Sequence, residues 1–279
     1  MEQFSRRAVG RGEPPRPGYG CGAQCRPVAV TVQFLHLSDL HIGADASERL
    51  AGVDCRASLL RVLAAIARDE PPQLPLLLTG DIAAHGELAA YQWLNQQLLA
   101  SGREVYWLPG NHDAPALMAA GLADFPARRQ ITMGRWLLLL LDSSQPTSSS
   151  GLLSAAELAA VSAAVADRRA DHLLLALHHP LTAIGCRWLD AMCVANSDEL
   201  AARLAGESRL RGVLCGHVHQ HSVVAWQGVE QISTPSTCFQ FAAASRDYAL
   251  AALPPAYRRV SLADDGAVTT ALVAVDPAS

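Results

Sequence analysis

The sequence predicts an α/β fold built on a largely parallel β-sheet with helices on both of its faces. Short apolar runs alternate with helical patterns over residues 32–108, which is the rhythm of parallel strands joined by crossover helices. Apolar runs of strand length recur at 137–141 and 173–177. Polar residues follow these runs, and the carboxyl ends of parallel strands are where such sheets place their sites.

The first half of the chain supplies three strands and two helices. In order, these are a strand at 32–37, a helix that ends near residue 68, a strand at 74–78, a helix at about 87–99 and a strand at 105–108. Apolar residues at Leu59, Leu60, Leu63 and Ile66 mark one face of the first helix. Pro71 and Pro72 end that helix, because proline cannot continue the hydrogen-bond ladder.

The second half repeats the alternation and then becomes mostly β. We predict two short strands within 131–141, a polar loop at 143–150, a helix at 154–169, a strand at 172–177, a loop at 181–196, a short helix at 199–204 and a strand at 211–215. Ser154 and Glu157 have the spacing of a capping box. Gln227 and Gly228 separate two apolar runs, which indicates a hairpin, and short strands follow.

The domain organisation is predicted to be simple. Residues 31–279 contain no internal repeat and no linker, so they are expected to form a single domain. Residues 1–30 are rich in Arg, Gly and Pro without periodicity and are predicted to be a disordered extension. Cys21 and Cys25 lie in that extension, and no second pair completes a zinc site with them.

Composition excludes several classes of function. The 279 residues carry a net charge of −4, so no strong basic field is present to bind a nucleic-acid backbone. No apolar run approaches the ~20 residues of a membrane span. Arg6 and Arg7 are not followed by the apolar region of a signal peptide. We therefore expect a cytoplasmic protein with no nucleic-acid partner and no membrane partner.

Five short polar segments follow predicted strands and carry Asp, Asn and His. They are SDLH at 38–41, GD at 80–81, GNHD at 110–113, HHP at 178–180 and GHVH at 216–219. A single cluster of this kind is usually a solvated loop. Five clusters at strand ends supply the carboxylate, amide and imidazole groups that a two-metal hydrolytic site needs.

The order D-x-H, GD, GNHD, H-x-P, GHxH resembles the calcineurin-like metallophosphoesterase family. The resemblance runs from Asp39 to His219 and implies the family's metallo-dependent phosphatase fold, a four-layer αββα sandwich of two mixed β-sheets flanked by helices. It also implies two divalent or trivalent metal ions, with iron and manganese favoured and zinc an alternative. The implied ligands are Asp39, His41, Asp81 and His219 for one ion, and Asp81, Asn111, His178 and His217 for the other.

The same resemblance implies the chemistry of the remaining residues. A hydroxide that bridges the two ions would attack phosphorus in line, and His112 would stabilise the phosphate oxygens or protonate the leaving oxygen. Asp113 would either orient the His112 ring or serve only the structure. The family's ligand in H-x-P is the first histidine, which leaves His179 to touch the substrate or to support a ligand from behind.

Longer stretches around these segments resemble the bacterial class III 3′,5′-cyclic-AMP phosphodiesterases, which convert cyclic AMP to 5′-AMP. They are residues 107–113, 185–190, 214–217 and 234–238. In this resemblance Asn111 and His112 contact the substrate, and the loop at 181–196 covers the nucleotide. Trp188 then stacks on adenine or only packs the loop, and Asn196 hydrogen-bonds the substrate. Leu40 and the N-terminal extension depart from the pattern.

Alternatives to cyclic AMP stay open from the sequence. A phosphodiesterase of other specificity would act on 2′,3′-cyclic nucleotides, glycerophosphodiesters or nucleotide-lipid pyrophosphates. A non-catalytic scaffold on the same fold is the remote alternative, because scaffolds lose ligands and every ligand position here is filled. A homodimer is expected to be possible, since dimers exist in the family.

Overall fold

The computed structural model describes residues 31–276, in which two mixed β-sheets pack face to face. The predicted extension at residues 1–30, with Cys21 and Cys25, lies outside the described residues. Helices cover the outer face of each sheet, so the layers run helix, sheet, sheet, helix. This is the four-layer sandwich that the family resemblance implied.

The first sheet grows from a β-α-β-α-β unit. The unit consists of β1 (Thr31–Leu37), α1 (Cys55–Asp69), β2 (Leu76–Thr79), α2 (Leu88–Ser101) and β3 (Val105–Leu108), and the short helix α3 (Pro115–Gly121) follows it. β1 pairs with β2 and β2 with β3, both in parallel, as the crossover helices require. The carboxyl ends of all three strands therefore lie at the same edge.

The second sheet contains a similar unit. Its elements are β4 (Gln130–Met133), β5 (Trp136–Leu141), α4 (Ala155–Ala166), β6 (His172–Leu177), α5 (Arg187–Asp190), α6 (Ser197–Arg203) and β7 (Leu210–Cys215). β5, β6 and β7 are parallel neighbours. Ser154 caps α4 by accepting a hydrogen bond from the backbone N–H of Glu157, as predicted, and α5 is a helical turn that the loop prediction lacked.

The chain after His221 is mostly β, as predicted, and it returns to the first sheet. The hairpin β8 (Ser222–Trp226) and β9 (Val229–Ser233) extends the second sheet, followed by the short pair β10 (Gln240–Phe241) and β11 (Leu250–Ala251) and by β12 (Ala256–Ala263) and β13 (Val268–Ala274). Gln227 (φ 48°) and Gly228 (φ 81°) have the positive φ values of a type I′ turn. β12 pairs antiparallel with β1, so the first sheet has the order β13-β12-β1-β2-β3.

Three apolar clusters hold the layers together. The central cluster joins the inner faces of both sheets through residues such as Phe34, Leu138 and Val260. A second cluster packs α1 and α2 on the first sheet, and a third packs α4 and α6 on the second sheet. Burial of this apolar surface is the main force that fixes the two sets of strand ends relative to each other. Among residues 31–276, every helix is too short or too polar to cross a bilayer.

Candidate metal centre

The five polar segments meet at one edge of the sandwich. Residues 38–41, 80–81 and 110–113 follow β1, β2 and β3, and residues 178–180 and 216–219 follow β6 and β7. Both sheets thus deliver their side chains from the carboxyl ends of parallel strands.

Asp39, His41 and His219 form the first group of possible ligands. His41 Nε2 lies 3.0 Å from His219 Nε2, and His219 Nε2 lies 3.4 Å from Asp39 Oδ1. His219 Nδ1 donates to the carbonyl oxygen of Phe239 at 2.8 Å. A neutral ring held in this way presents the lone pair of Nε2 to the group, which is the tautomer that a metal ion binds.

His178, His217 and Asn111 form the second group. His178 Nε2 lies 3.2 Å from Asn111 Oδ1 and 3.3 Å from His217 Nδ1, and that Nδ1 lies 3.0 Å from Asn111 Oδ1. His178 Nδ1 donates to the carbonyl oxygen of Thr79 at 2.8 Å, so in the neutral ring Nε2 carries a lone pair. Lone pairs that converge in this way need a proton or a cation between them. The donor set of imidazole and amide oxygen therefore fits a metal ion.

Asp81 stands between the two groups. Its Oδ1 lies 3.3 Å from His178 Nε2, and its Oδ2 lies 3.7 Å from His41 Nε2. The backbone N–H of His112 donates to Oδ1 at 2.9 Å and holds the carboxylate in this orientation. One oxygen faces each group, which is the geometry that a bridging carboxylate needs.

Strained backbone marks the same residues. Five of the seven predicted ligands have positive φ values: Asp39 (54°), His41 (47°), Asp81 (49°), His217 (67°) and His219 (46°). Such conformations cost non-glycine residues of order 1–3 kcal/mol each, and they persist at functional sites where the surrounding structure enforces them. These backbone conformations allow the five side chains to face the two groups of ligands.

Burial sets the charge of the site. It lowers the pKa of His41 and of His217 to about 3, so both rings are neutral. Burial also opposes ionisation of Asp81, but His178 and His41 hold the pKa of that carboxyl well below its usual range. Burial opposes the charged form of His178 too, yet Asp81 overrides it and raises the pKa of His178 to about 9. A bound cation would take the place of that proton.

His112 lies beside the ligands, and with His41 and Asp81 it belongs to a group of side chains whose ligand atoms lie within 4.8 Å of one another. Its exposed ring lines the cavity described below and meets the His41 ring edge-on at 4.8 Å between centroids. Its Nδ1 donates to the carbonyl oxygen of Ala84 at 2.7 Å, which leaves Nε2 for a substrate. The ring is therefore oriented by a backbone carbonyl.

Asp113 serves the loops instead of the His112 ring. Its carboxylate accepts hydrogen bonds from four groups: the backbone N–H groups of Ile82, Ala83 and Gly110, and the hydroxyl of Tyr91. These bonds tie the turn after β2 to the turn after β3, so of its two expected roles the structural one matches. Burial, with the nearby Asp81, raises the pKa of Asp113 to about 6.

Two residues expected to touch the substrate lie elsewhere. His179 is fully buried behind the His217 ring, 4.7 Å between centroids, and its Nδ1 lies 2.9 Å from Ser143 Oγ. It belongs with His178 and His217 to a group of side chains that could hold a metal ion, and its Nε2 has no hydrogen-bond partner among residues 31–276. Asn196 accepts from the N–H of Leu153 and donates to the carbonyl oxygen of the same residue, each at 2.9 Å. Its amide therefore holds the entry to α4 and does not reach the cavity.

A cavity of about 270 Å³ opens above the ligands. Its floor includes Asp81, Asn111 and His217, and its walls are largely aromatic, with Trp188, Phe239, Phe241 and Tyr248. The Phe241 ring stacks on the His219 ring at 4.3 Å, and Trp188 meets Tyr248 at 5.5 Å.

The sequence reasoning placed Trp188 at this site but missed the other aromatic residues. Phe239 and Phe241 directly follow the conspicuous stretch at 234–238, and that proximity was the one available signal. Tyr248 follows in the turn between β10 and β11, where local sequence offers no sign of the site.

Comparison with known proteins identifies the family. The calcineurin-like phosphoesterase family matches residues 32–221, more than half of the chain. The chain belongs to this family. The family is hydrolytic, and its implied dimetal centre agrees with the clusters of buried Asp and His described above.

Named relatives extend the match over most of the chain. The 3′,5′-cyclic adenosine monophosphate phosphodiesterase CpdA of Escherichia coli (strain K12) is 36% identical over 242 residues, which cover 86% of this chain and 88% of the relative. The protein of the same name from Pseudomonas aeruginosa is 34% identical over 248 residues, covering 88% and 91%. A dimetal phosphatase structure from Danio rerio covers 88% of this chain and 99% of its own, with a TM-score of 0.58 at 14% identity. That likeness confirms the fold alone.

Proposed function

We propose that this protein is a binuclear-metal phosphodiesterase that hydrolyses 3′,5′-cyclic AMP to 5′-AMP. The observation that carries the proposal is Asp81, whose two carboxylate oxygens face two separate groups of ligands at the floor of an aromatic cavity. The names of the relatives at 34% and 36% identity support the choice of substrate.

The residues present fit two metal ions. Asp39, His41, Asp81 and His219 would hold the first, and Asp81, Asn111, His178 and His217 the second. Mixed carboxylate, amide and imidazole ligation suits iron and manganese, which we favour, and also zinc. Bound ions would polarise the phosphate and lower the pKa of the attacking water.

The protein's own groups then orient the diester and its leaving oxygen. Asn111 turns its amide oxygen toward the ligands, which leaves its NH₂ group for a phosphate oxygen. Conversion of 3′,5′-cyclic AMP to 5′-AMP breaks the bond between phosphorus and O3′. As an imidazolium, with Nδ1 donating to the carbonyl oxygen of Ala84, His112 can donate from Nε2 to a phosphate oxygen or give that proton to O3′ as the bond breaks.

The aromatic walls account for the nucleoside end of the substrate. Trp188, Phe241 and Tyr248 meet edge-on at 4.8–5.5 Å, and one face of this cluster borders the cavity. Stacking of a base on an aromatic side chain contributes about 1–3 kcal/mol and tolerates any base. The walls thus provide affinity for a nucleobase next to the phosphate site.

That tolerance is also the observation behind a second candidate. Stacking distinguishes adenine poorly from other flat groups, so the same site would accept 2′,3′-cyclic nucleotides and other phosphodiesters, including glycerophosphodiesters or nucleotide-lipid pyrophosphates. A non-catalytic scaffold is disfavoured, because the ligand positions and His112 are all filled. A cytoplasmic location and a homodimer stay predictions.

Steady-state hydrolysis of 3′,5′-cyclic AMP tests the proposal. The protein is stripped of metal, reloaded with Mn²⁺ or Fe²⁺, and compared on 2′,3′-cyclic AMP and bis(p-nitrophenyl) phosphate. We expect the highest kcat/KM for 3′,5′-cyclic AMP. Trp188→Ala should raise KM for 3′,5′-cyclic AMP, and Trp188→Phe is the matched control that keeps an aromatic ring at this position. Cleavage of the aryl diester alone would contradict the cyclic-AMP assignment and favour the second candidate, a phosphodiesterase of other specificity.

A further inference from the structure

A series of buried polar side chains leads from β12 to the metal ligand His178. Its members, called the polar chain below, are Arg258, Thr234, His36, Thr79 and Ser38. Each is at most 1% exposed. The proposed reaction uses none of them, although they lie directly beneath the ligands.

Arg258 is an unusual residue for this position. It donates to the hydroxyls of Thr234 at 3.2 Å and Thr270 at 3.0 Å, to the carbonyl of Ser233 at 2.8 Å and to Nδ1 of His221 at 2.8 Å. Within residues 31–276 no carboxylate forms an ion pair with it. Burial lowers the pKa of Arg258 to about 10, so it stays a cation at neutral pH. A buried cation without an acid is costly, and an apolar side chain would fill the space without that cost.

The guanidinium group sets the direction of the hydrogen bonds, because it can only donate. Thr234 accepts from Arg258, and its own hydrogen is then free for His36 Nδ1 at 2.7 Å. At the other end of the ring, the Thr79 hydroxyl gives its only hydrogen to Ser38 Oγ, so it accepts from His36 Nε2 at 2.7 Å, and His36 carries its proton on Nε2. Burial and the Arg258 charge lower the pKa of His36 to about 3, which agrees with a neutral ring.

The polar chain ends at the carbonyl that orients a ligand. Thr79 Oγ1 donates to Ser38 Oγ at 2.9 Å, and Ser38 Oγ donates to the carbonyl oxygen of Thr79 at 3.2 Å. The same carbonyl accepts from His178 Nδ1 at 2.8 Å. Ser38 directly precedes Asp39, and Thr79 lies two residues before Asp81. The polar chain thus connects the turns that carry Asp39 and Asp81 to the ring of His178.

We propose that Arg258 is a positioning residue for the metal centre and acts through the polar chain. Its charge and donors select one tautomer of His36, and that tautomer fixes the hydroxyls of Thr79 and Ser38. These hydroxyls hold the two carboxylate-bearing turns and the carbonyl behind His178 in register. The proposal rests on the metal centre but holds for any phosphodiester substrate.

Thr234 offers the sharpest test, because Val has the same shape without the hydroxyl and Ser keeps the hydroxyl. Isothermal titration of Mn²⁺ into metal-free protein should show that Thr234→Val binds the ion with an affinity at least about tenfold lower than the wild type. Supporting partners of metal ligands typically contribute 10–100-fold to metal affinity. Thr234→Ser should bind like the wild type. Long-range ¹H–¹⁵N spectra should show a single His36 tautomer in the wild type and a mixture in Thr234→Val. With bis(p-nitrophenyl) phosphate, kcat should fall while KM stays constant.

Arg258→Met tests the origin of the effect. It should weaken Mn²⁺ binding as Thr234→Val does, and the double variant should be no weaker than the weaker single variant, because both break the same series of bonds. Additive losses would overturn the role of Arg258, and if this variant does not fold, the Thr234 pair decides. Unchanged Mn²⁺ affinity and an unchanged His36 tautomer in Thr234→Val would overturn the proposal. A wild type that binds no Mn²⁺ would instead overturn the metal centre and with it the proposed function.

Discussion

The two β-α-β halves of this protein are built alike but contribute different ligands. The half around β1, β2 and β3 provides both carboxylates, the amide and one imidazole, whereas the half around β6 and β7 provides three imidazoles. The first half thus supplies the negative charge, and the second half supplies only imidazole nitrogens. The ring of His178 is oriented by Thr79, a residue of the first half. Neither half can therefore form the centre alone.

A second comparison concerns the arginine in front of the third strand of each half. Arg103 precedes β3 and donates to the carbonyls that end α1 and enter β2: Ile66, Glu70, Pro71 and Leu74. Arg209 precedes β7 and donates in the same way to Val165, Asp167 and Ala170 at the end of α4. Arg209 also pairs with the carboxylate of Glu207 at 2.7 Å, whereas Arg103 forms no ion pair within residues 31–276. In both halves an arginine satisfies the carbonyl oxygens at a helix end, once with an ion pair and once without one.

The largest expected effect comes from the carboxylate that joins the halves. Asp81→Asn should lower kcat on bis(p-nitrophenyl) phosphate by about a thousandfold or more, because bound metals contribute several kcal/mol of charge stabilisation and each ~1.4 kcal/mol is tenfold. Metal analysis should show loss of at least one ion per chain. Activity within tenfold of the wild type with both ions retained would mean that Asp81 does not bridge.

His112 tests whether the first half also supplies the catalytic group. His112→Ala should reduce kcat by about 10²–10⁴-fold, the usual contribution of a general acid or base. Both ions should remain bound, since His112 lies outside the two groups. His85→Ala is a matched control, because this exposed histidine pairs with Glu48 on the surface. A wild-type rate in His112→Ala would move the proton transfer to another residue.

The two arginines should differ in their effect on stability. Arg209→Leu should lower the free energy of unfolding by about 3–5 kcal/mol, because it removes the buried partner of Glu207 and leaves only the exposed Arg168 beside that carboxylate. Arg103→Leu strands only carbonyl oxygens and should cost about 1–3 kcal/mol. Urea unfolding of the metal-free variants measures both. The reverse order would show that the ion pair adds nothing to the second half.

The pH dependence of stability should carry the smallest signal. Hydrogen bonds from Arg209 lower the pKa of Glu207 from 4.5 to about 2. A lowered folded-state pKa means that the stabilisation is complete above the unfolded value and is lost as pH falls toward about 2. Glu207→Gln should therefore lose less stability than the wild type between about pH 5 and pH 3. Equal slopes in urea titrations at these pH values would contradict the assignment.

Local patterns predicted the strands and the strand ends at which the candidate ligands lie. The apolar runs at 105–108 and 172–177 form β3 and β6 with the predicted bounds. A short apolar run bounded by turn residues is typical of a buried strand. Helix ends moved by a few residues, as at α4, which ends at Ala166 instead of 169. His179 and Asn196, which were expected to contact the substrate, do not line the cavity, because burial and partners in the fold, which no local pattern reports, engage both side chains.

The sequence by itself determined the family, the order of strands and helices, and the residues that stand at strand ends. These features depend on the spacing of apolar and polar residues along the chain, which can be read from the sequence. The tertiary structure alone decided that β12 returns beside β1, that Phe241 and Tyr248 wall the cavity, and that Arg258 lies under the metal centre. These contacts join residues far apart in the chain, and they form only when burial of the apolar sheet faces brings both halves together.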